Sequence, residues 1–244
     1  MKKIIAVSVA VLFILVGACL IFWRHTPFAY SGVVEAVEVD VPSRLADTIE
    51  SLPVQEGSPV RKGEVLAKLE CKDVALQQAI AQKEFERASQ LLKTTAGSRE
   101  NYDLKKHQFD QASLHKDWCE IKSPLTGKVL YKYYEEGELI PAGRKLLTVA
   151  DLAQMDVWVY VEHDLLARLQ PGMEVTGFLP ETGQHFKGTV LTINDEAEFT
   201  PKNVQTRRER ERLVYGIKTR FANDANQTLK PGMTLEVSFP LEDK

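Results

Sequence analysis

Apolar residues crowd the start of the chain. Residues 4–23 carry no charge, and Lys2 and Lys3 stand just before them. A helix of about 20 apolar residues crosses the ~30 Å hydrocarbon layer of a bilayer. With the positive charges leading, residues 1–24 read as an N-terminal membrane anchor that leaves the rest of the chain outside the cytoplasm. Two other readings stay open, a lipoprotein modified at Cys19 and a cleaved signal segment. All three deliver the chain to the same compartment. Beyond a short spacer, Val33, Val37, Val39 and Val41 alternate with other residues and predict a strand.

Residues 43–70 and 123–150 repeat one pattern without a gap, 80 positions apart. Ser43 matches Ser123, Leu45 Leu125, Ile49 Val129, Glu56 Glu136, Gly57 Gly137, Val60 Ile140, Gly63 Gly143 and Leu66 Leu146. Each copy predicts short strands broken by two glycine turns, where positive φ carries little steric cost. Between the copies, residues 73–116 contain no proline and a single glycine, Gly97, and are rich in Gln, Lys, Glu, Ala and Leu. Gly97 lies near the middle, so the segment predicts two antiparallel helices of ~22 residues, each ~33 Å long. Their apolar stripe is thin: Val74, Ala81, Phe85, Ala88 and Leu92, facing Tyr102, Phe109 and Ala112. A helical pair so weakly packed is marginal alone, which implies packing against another subunit or protein; a solvated spur is the alternative. Two β halves split by this insert form one domain, with the insert projecting as an arm.

After residue 150 the strands recur around residues 155–161, 174–178, 186–193, 213–221 and 234–239, separated by turns such as Pro171-Gly172 and Pro231-Gly232. Short strands at this spacing suggest a small closed barrel. The fold class is thus mainly β with an α-helical hairpin.

Composition narrows the function. The net charge of −3, with no strongly basic half, argues against nucleic acid as a partner. His25, His107, His115, His163 and His185 show no metal-ligand spacing with one another or with cysteine. No nucleophile motif or phosphate loop is present. The expectation is therefore no enzyme, no metal and no cofactor.

The repeated half-motif resembles the biotinyl/lipoyl-type fold, split by a helical hairpin and followed by a β-barrel. That order is similar to the HlyD-like periplasmic adaptor (membrane fusion protein) family. The resemblance runs from the anchor through Gly32-Val33-Val34, Gly57 and Gly63, Ile121-Lys122-Ser123-Pro124 with Gly127, and Pro171-Gly172 to Pro231-Gly232-Met233. It implies an anchor at 1–24, a lipoyl-like domain from halves 31–71 and 119–150, a hairpin at 72–118 and a barrel at 151–240. One departure is Asp47, which stands where the family usually has the glycine seen at Gly127; Asp tolerates the left-handed conformation better than most residues. A carrier role for biotin or lipoate would need a lysine at the turn joining the halves, and the hairpin replaces that turn.

Arg87, Leu91 and Ser98 are similar to the family's Arg-Leu-Ser/Thr signature for docking a TolC-type outer-membrane channel. The resemblance gives Arg to carboxylate or carbonyl oxygens, Leu to an apolar groove and the hydroxyl to a backbone group at the turn. An ordinary surface Arg, a core Leu and a helix cap at Ser98 is the competing reading. Phe199, Asn203, Gln205, Arg208 and Arg212 resemble the barrel loop of adaptors that serve ABC-type exporters; the alternative is a solvated loop. Cys71 and Cys119 bracket the hairpin. If the halves pair, these residues lie side by side, and the oxidising compartment permits a disulfide; two buried free thiols are the alternative. The implied role is an inner-membrane-anchored periplasmic adaptor linking an exporter, ABC-type by that resemblance, to a TolC-type channel. Self-association into a hexamer is implied by the same resemblance. A secondary-transport or protein-secretion adaptor and a non-transport envelope scaffold are the rivals.

Overall fold

The computed structural model describes residues 29–94, 97–199 and 213–240. The expected anchor at 1–24, with Cys19, lies outside them, as does most of the segment that holds the transporter-contact candidates. Among the described residues, no helix is long and apolar enough to cross a membrane. The chain divides into two compact units: residues 33–157 with 220–233, and residues 158–219 with the two chain ends.

The first unit holds the repeat. Its strands are β1 (Tyr30–Pro42), which begins in the other unit, β2 (Asp47–Ser51), β3 (Pro59–Val60), β4 (Val65–Leu69), β5 (Glu120–Lys122), β6 (Gly127–Lys132), β7 (Leu139–Ile140) and the first part of β8 (Lys145–Glu162). The pairings cross between the two copies. β2 lies antiparallel to β7, with Asp47 opposite Ile140, and β3 lies antiparallel to β6, with Val60 opposite Gly127. Each of these two pairings is the other shifted by one repeat.

The loop bonds are reciprocal too. Gly57 donates its N–H to the Val129 carbonyl at 2.8 Å, and Gly137 donates to the Ile49 carbonyl at 2.9 Å. Gly63 donates to Ser123 and Gly143 to Ser43, while the hydroxyls of Ser43 and Ser123 each close on the carbonyl two residues ahead at 2.6 Å. The four turn glycines have φ between 80° and 87°, the left-handed region that favours glycine. Neither half could satisfy its turn amides alone, so the copies fold against each other as one domain. Ile49, Leu66, Val129, Ile140, Leu146 and Leu147, all at most 1% exposed, form the shared core. That is the two-halved β domain the repeat predicted.

Gly127 and Asp47 occupy equivalent positions, and the structure corrects the conformational reason given for the Asp47 departure. Neither residue has positive φ. A Cβ at Gly127 would stand 2.0 Å from the Ala150 carbonyl oxygen, because β8 runs directly over β6 there. Across the pseudo-symmetry, the chain leaves β4 for the hairpin. The Asp47 side chain fits there and accepts the Cys71 N–H at 3.0 Å.

The hairpin consists of α1 (Lys72–Lys93) and α2 (Arg99–Asp117). Phe85 stacks on Phe109 at 5.5 Å and touches Tyr102 at the same centroid distance. Lys105 bonds Glu84 at 2.6 Å across the pair. Only Ala88 is fully buried on α1, and no residue is on α2.

The second unit contains α3 (His163–Leu166), β9 (Glu174–Leu179), β10 (Gln184–Phe199), most of β11 (Leu213–Ala222) and β12 (Thr234–Ser238). β12, β9, β10, β11 and β8 follow one another, and β1 pairs with both β12 and β8, so the strand order returns to its start. Alternation explains the strands: Val175 and Leu179, and Leu235 and Val237, share one face of their strand and are buried. Residues 220–233 return to the first unit. Arg220 forks onto the buried Asp156 at 2.6 and 2.9 Å, and Asn223 bonds the Leu152 and Leu229 carbonyls.

Candidate docking site

The site is the hairpin, read from foot to tip. At the foot, both crossings between β domain and hairpin are pinned together. Cys71 and Cys119 form a disulfide with their Cα atoms 6.1 Å apart, and both residues belong to the β-domain core. Cys71 takes the left-handed conformation, φ 46°, to turn the chain from β4 into α1. As the N-cap residue of α1 it has no capping side-chain bond. Asp47 instead fixes the turn from the other side. Trp118 closes α2, with the Arg44 guanidinium 5.7 Å over its ring and His115 4.9 Å away.

Electrostatics stiffen the shaft. The ammonium of Lys105 holds the Glu84 carboxyl below the ordinary carboxylate value, first by its hydrogen bond and then by its charge. A depressed folded value means the bond contributes fully at neutral pH. The contribution fades as pH falls from the ordinary Glu value, about 4.3, through the lower folded one. Glu84→Gln should therefore flatten the acid-induced loss of helicity below about pH 4, measured by far-ultraviolet circular dichroism.

At the tip, Thr94 ends α1, and its hydroxyl donates to the Leu91 carbonyl at 3.0 Å. The Gly97 N–H donates to the same carbonyl, also at 3.0 Å. A Cβ at Gly97 would lie 2.9 Å from the backbone of Leu91 and Leu92, so a tight return of the chain demands glycine there. Ser98 occupies the N-cap of α2 in extended conformation, but its hydroxyl makes no capping bond. This corrects the reading of Ser98 as a helix cap. The serine side chain is exposed.

Arg87 and Leu91 stand one turn apart on the same face of α1, and both are exposed; Leu91 is 41% exposed despite being apolar. Neither is a core residue, so the core reading of Leu91 fails. Phe199 ends β10, whereas Asn203, Gln205, Arg208 and Arg212 lie outside the described residues. Among the described residues, no cluster of His, Cys, Asp and Glu could hold a metal ion. Sequence reasoning missed Asp47 as the partner of Cys71, and only the 80-residue offset between the copies hinted that position 47 mattered.

A two-halved β domain of this topology, opened at one end by a helical hairpin, defines a barrel-sandwich hybrid. Residues 31–151 match the family model of the CzcB-like barrel-sandwich hybrid domain. The UPF0194 membrane protein YbhG of Salmonella gallinarum is 32% identical over 123 residues, 49% of this chain and 36% of that protein. The match thus spans about a third of the length of such curated relatives. In fold, the chain is similar to a MacA–MexA chimera carrying the Pseudomonas aeruginosa MexA α-hairpin domain (TM-score 0.71, 20% identity, 88% of this chain and 81% of that one). It is also similar to the membrane fusion protein Spr0693 of Streptococcus pneumoniae R6 (TM-score 0.66, 18% identity, 88% and 99%). The β domain is therefore of the CzcB-like barrel-sandwich hybrid kind, and the resemblance of the chain to the periplasmic adaptor, or membrane fusion protein, family stands.

Proposed function

We propose that this chain is a periplasmic adaptor in an export system, anchored in the inner membrane through residues 1–24. The lipoyl-like halves (31–71 and 119–150) carry the hairpin (72–118), and the barrel (151–240) faces the transporter. The carrying observation is the exposed presentation of Arg87, Leu91 and Ser98 beside the tip of a hairpin whose foot is covalently closed. An apolar side chain held in water beside a guanidinium suits a protein surface with a groove and carboxylates or carbonyls. The adaptor family supplies that partner: a TolC-type channel of the outer membrane.

The finer assignment is HlyD-like, with an ABC-type exporter as transporter partner. It rests on the sequence of residues 199–215, where Phe199, Asn203, Gln205, Arg208 and Arg212 are the contact candidates. Copies assemble around the substrate path, six in the family's arrangement. The role is bridging, without covalent chemistry. Double reversal Arg87→Glu with Leu91→Glu should reduce export at least about tenfold, given the ~1.4 kcal/mol that corresponds to each factor of ten, while leaving folding and membrane association intact. Unchanged efflux of dyes and peptides by that variant would remove the docking role; a loss of envelope integrity without loss of efflux would favour a scaffold.

A further inference from the structure

The turn that follows β11 presents a side chain that the fold itself does not use. Asn223, Asp224 and Thr228 all work to hold the turn. Asn223 donates to the Leu152 and Leu229 carbonyls and accepts the Asp224 and Leu229 amides, each of the latter at 3.0 Å. The Asp224 carboxylate accepts both the N–H and the O–H of Thr228, each at 2.6 Å. Gln227 takes the left-handed conformation, φ 52°, and donates its N–H to the Asp224 carbonyl at 2.9 Å. The two ends of residues 224–228 are thus clamped together, and Ala225, Asn226 and Gln227 stand outward, all exposed. The Asn226 carboxamide has no hydrogen-bond partner among the described residues.

Sequence context singles out the same residue. Among the asparagines, at positions 101, 194, 203, 223 and 226, only Asn226 has a hydroxyl residue two places on, in Asn226-Gln227-Thr228. That is the acceptor pattern for an N-linked glycan, with a residue other than proline in the middle. Asp224 stands two places before Asn226, which matches the longer acceptor, acidic at that place, of bacterial oligosaccharyltransferases. The bonds from Thr228 hold the Asp224 carboxyl below the ordinary carboxylate value, so it stays charged at neutral pH. The pattern Asn-x-Thr alone is common. Here it coincides with the acidic residue and with an apex where the asparagine is exposed and unengaged. Asn223, three residues earlier, is committed to four hydrogen bonds.

We infer that Asn226 is a glycosylation site, loaded from an oligosaccharide carried on a polyprenyl diphosphate. The Nδ2 of Asn226 attacks the anomeric carbon of the first sugar. The new N–C bond replaces the bond from that carbon to the diphosphate oxygen, and the polyprenyl diphosphate leaves with the electron pair. The amide proton passes to a base of the transferase. The glycan then stands beside a cleft of about 870 Å³ that Gln227 lines together with Pro59, Arg61, Lys62 and Leu152. A bulky, hydrated group there leaves that face of the β domain to solvent. The inference rests on the adaptor reading only for location: residues 25–244 must lie outside the inner membrane, where such transferases meet their lipid-linked donors.

The test is mass spectrometry of the full chain purified from the cells that make it. The peptide holding Asn226 should be heavier by one oligosaccharide. Asn226→Gln should abolish that increase without changing the thermal transition, because the side chain has no partner to lose. Thr228→Val should abolish it too, whereas Thr228→Ser, which keeps a hydroxyl, should retain it. Asp224→Asn should lower occupancy with Asn226 still in place. A glycan that survives Asn226→Gln would overturn the inference, as would one found only at another asparagine. An unmodified Asn226 in a chain that protease digests in intact spheroplasts would overturn it and leave the adaptor location standing. An unmodified chain digested only after the membrane is lysed would remove both.

Discussion

Gly127→Ala should lower the unfolding free energy of the β domain by about 3–5 kcal/mol, well above an ordinary point substitution. A methyl group there would stand 2.0 Å from the Ala150 carbonyl oxygen and 2.7 Å from its carbonyl carbon. Both atoms are backbone, so no side-chain rotation relieves the clash. Either β6 or β8 must move, and the ladder that sets Lys128 opposite Ala150 opens. The equivalent residue in the other half makes the contrast. Asp47→Gly removes only the bonds from Asp47 to the Thr48 and Cys71 amides, and should cost about 1–2 kcal/mol. Urea titration of both variants reads the difference as shifts in midpoint at constant slope. A gain in stability from Asp47→Gly would instead mean that position 47 is a conformational glycine site, as the sequence alone suggested.

Removing the disulfide is the second large effect. Cys71 and Cys119 close a loop of 48 residues, for which the chain-entropy model gives ~4 kcal/mol. Burial of both cysteines in the core adds a packing loss when they are replaced by serine. Cys71→Ser with Cys119→Ser should thus lower stability by about 3–5 kcal/mol without changing the helical content at low temperature. The hairpin foot should also become more open to proteolytic cleavage, since the two crossings of the chain then lose their covalent link and keep only noncovalent ties, such as the hydrogen bonds from Leu69, Glu70 and residue 71. A thermal transition unaltered by the double substitution would show that the core, and not the bond, holds the foot.

The sequence carried the architecture where physics is local or repeated. Paired turn glycines at a fixed offset announced the two halves. A proline-free, Gln- and Lys-rich insert with one central glycine announced the hairpin. What escaped depends on contacts distant along the chain. Gly127 is required by Ala150, Asp47 serves Cys71, and Gly97 is required by the backbone of Leu91, not by positive φ. Likewise, no periodicity reveals that residues 220–233 return to the first unit through Arg220 and Asn223. For the tip, residue types at the right spacing singled out Arg87, Leu91 and Ser98, but exposure and the missing capping bond at Ser98 needed coordinates.

Acid sensitivity of the shaft and asymmetry of the two glycine-equivalent sites both concern how the arm is built and held. Its purpose is tested at position 91. A photoactivatable residue replacing Leu91 in living cells should give a covalent adduct with an outer-membrane channel protein, absent from cells lacking that channel and absent when the residue is placed at Leu139 on the β domain. Full export activity with adducts only to inner-membrane proteins, or with none, would contradict the bridging role.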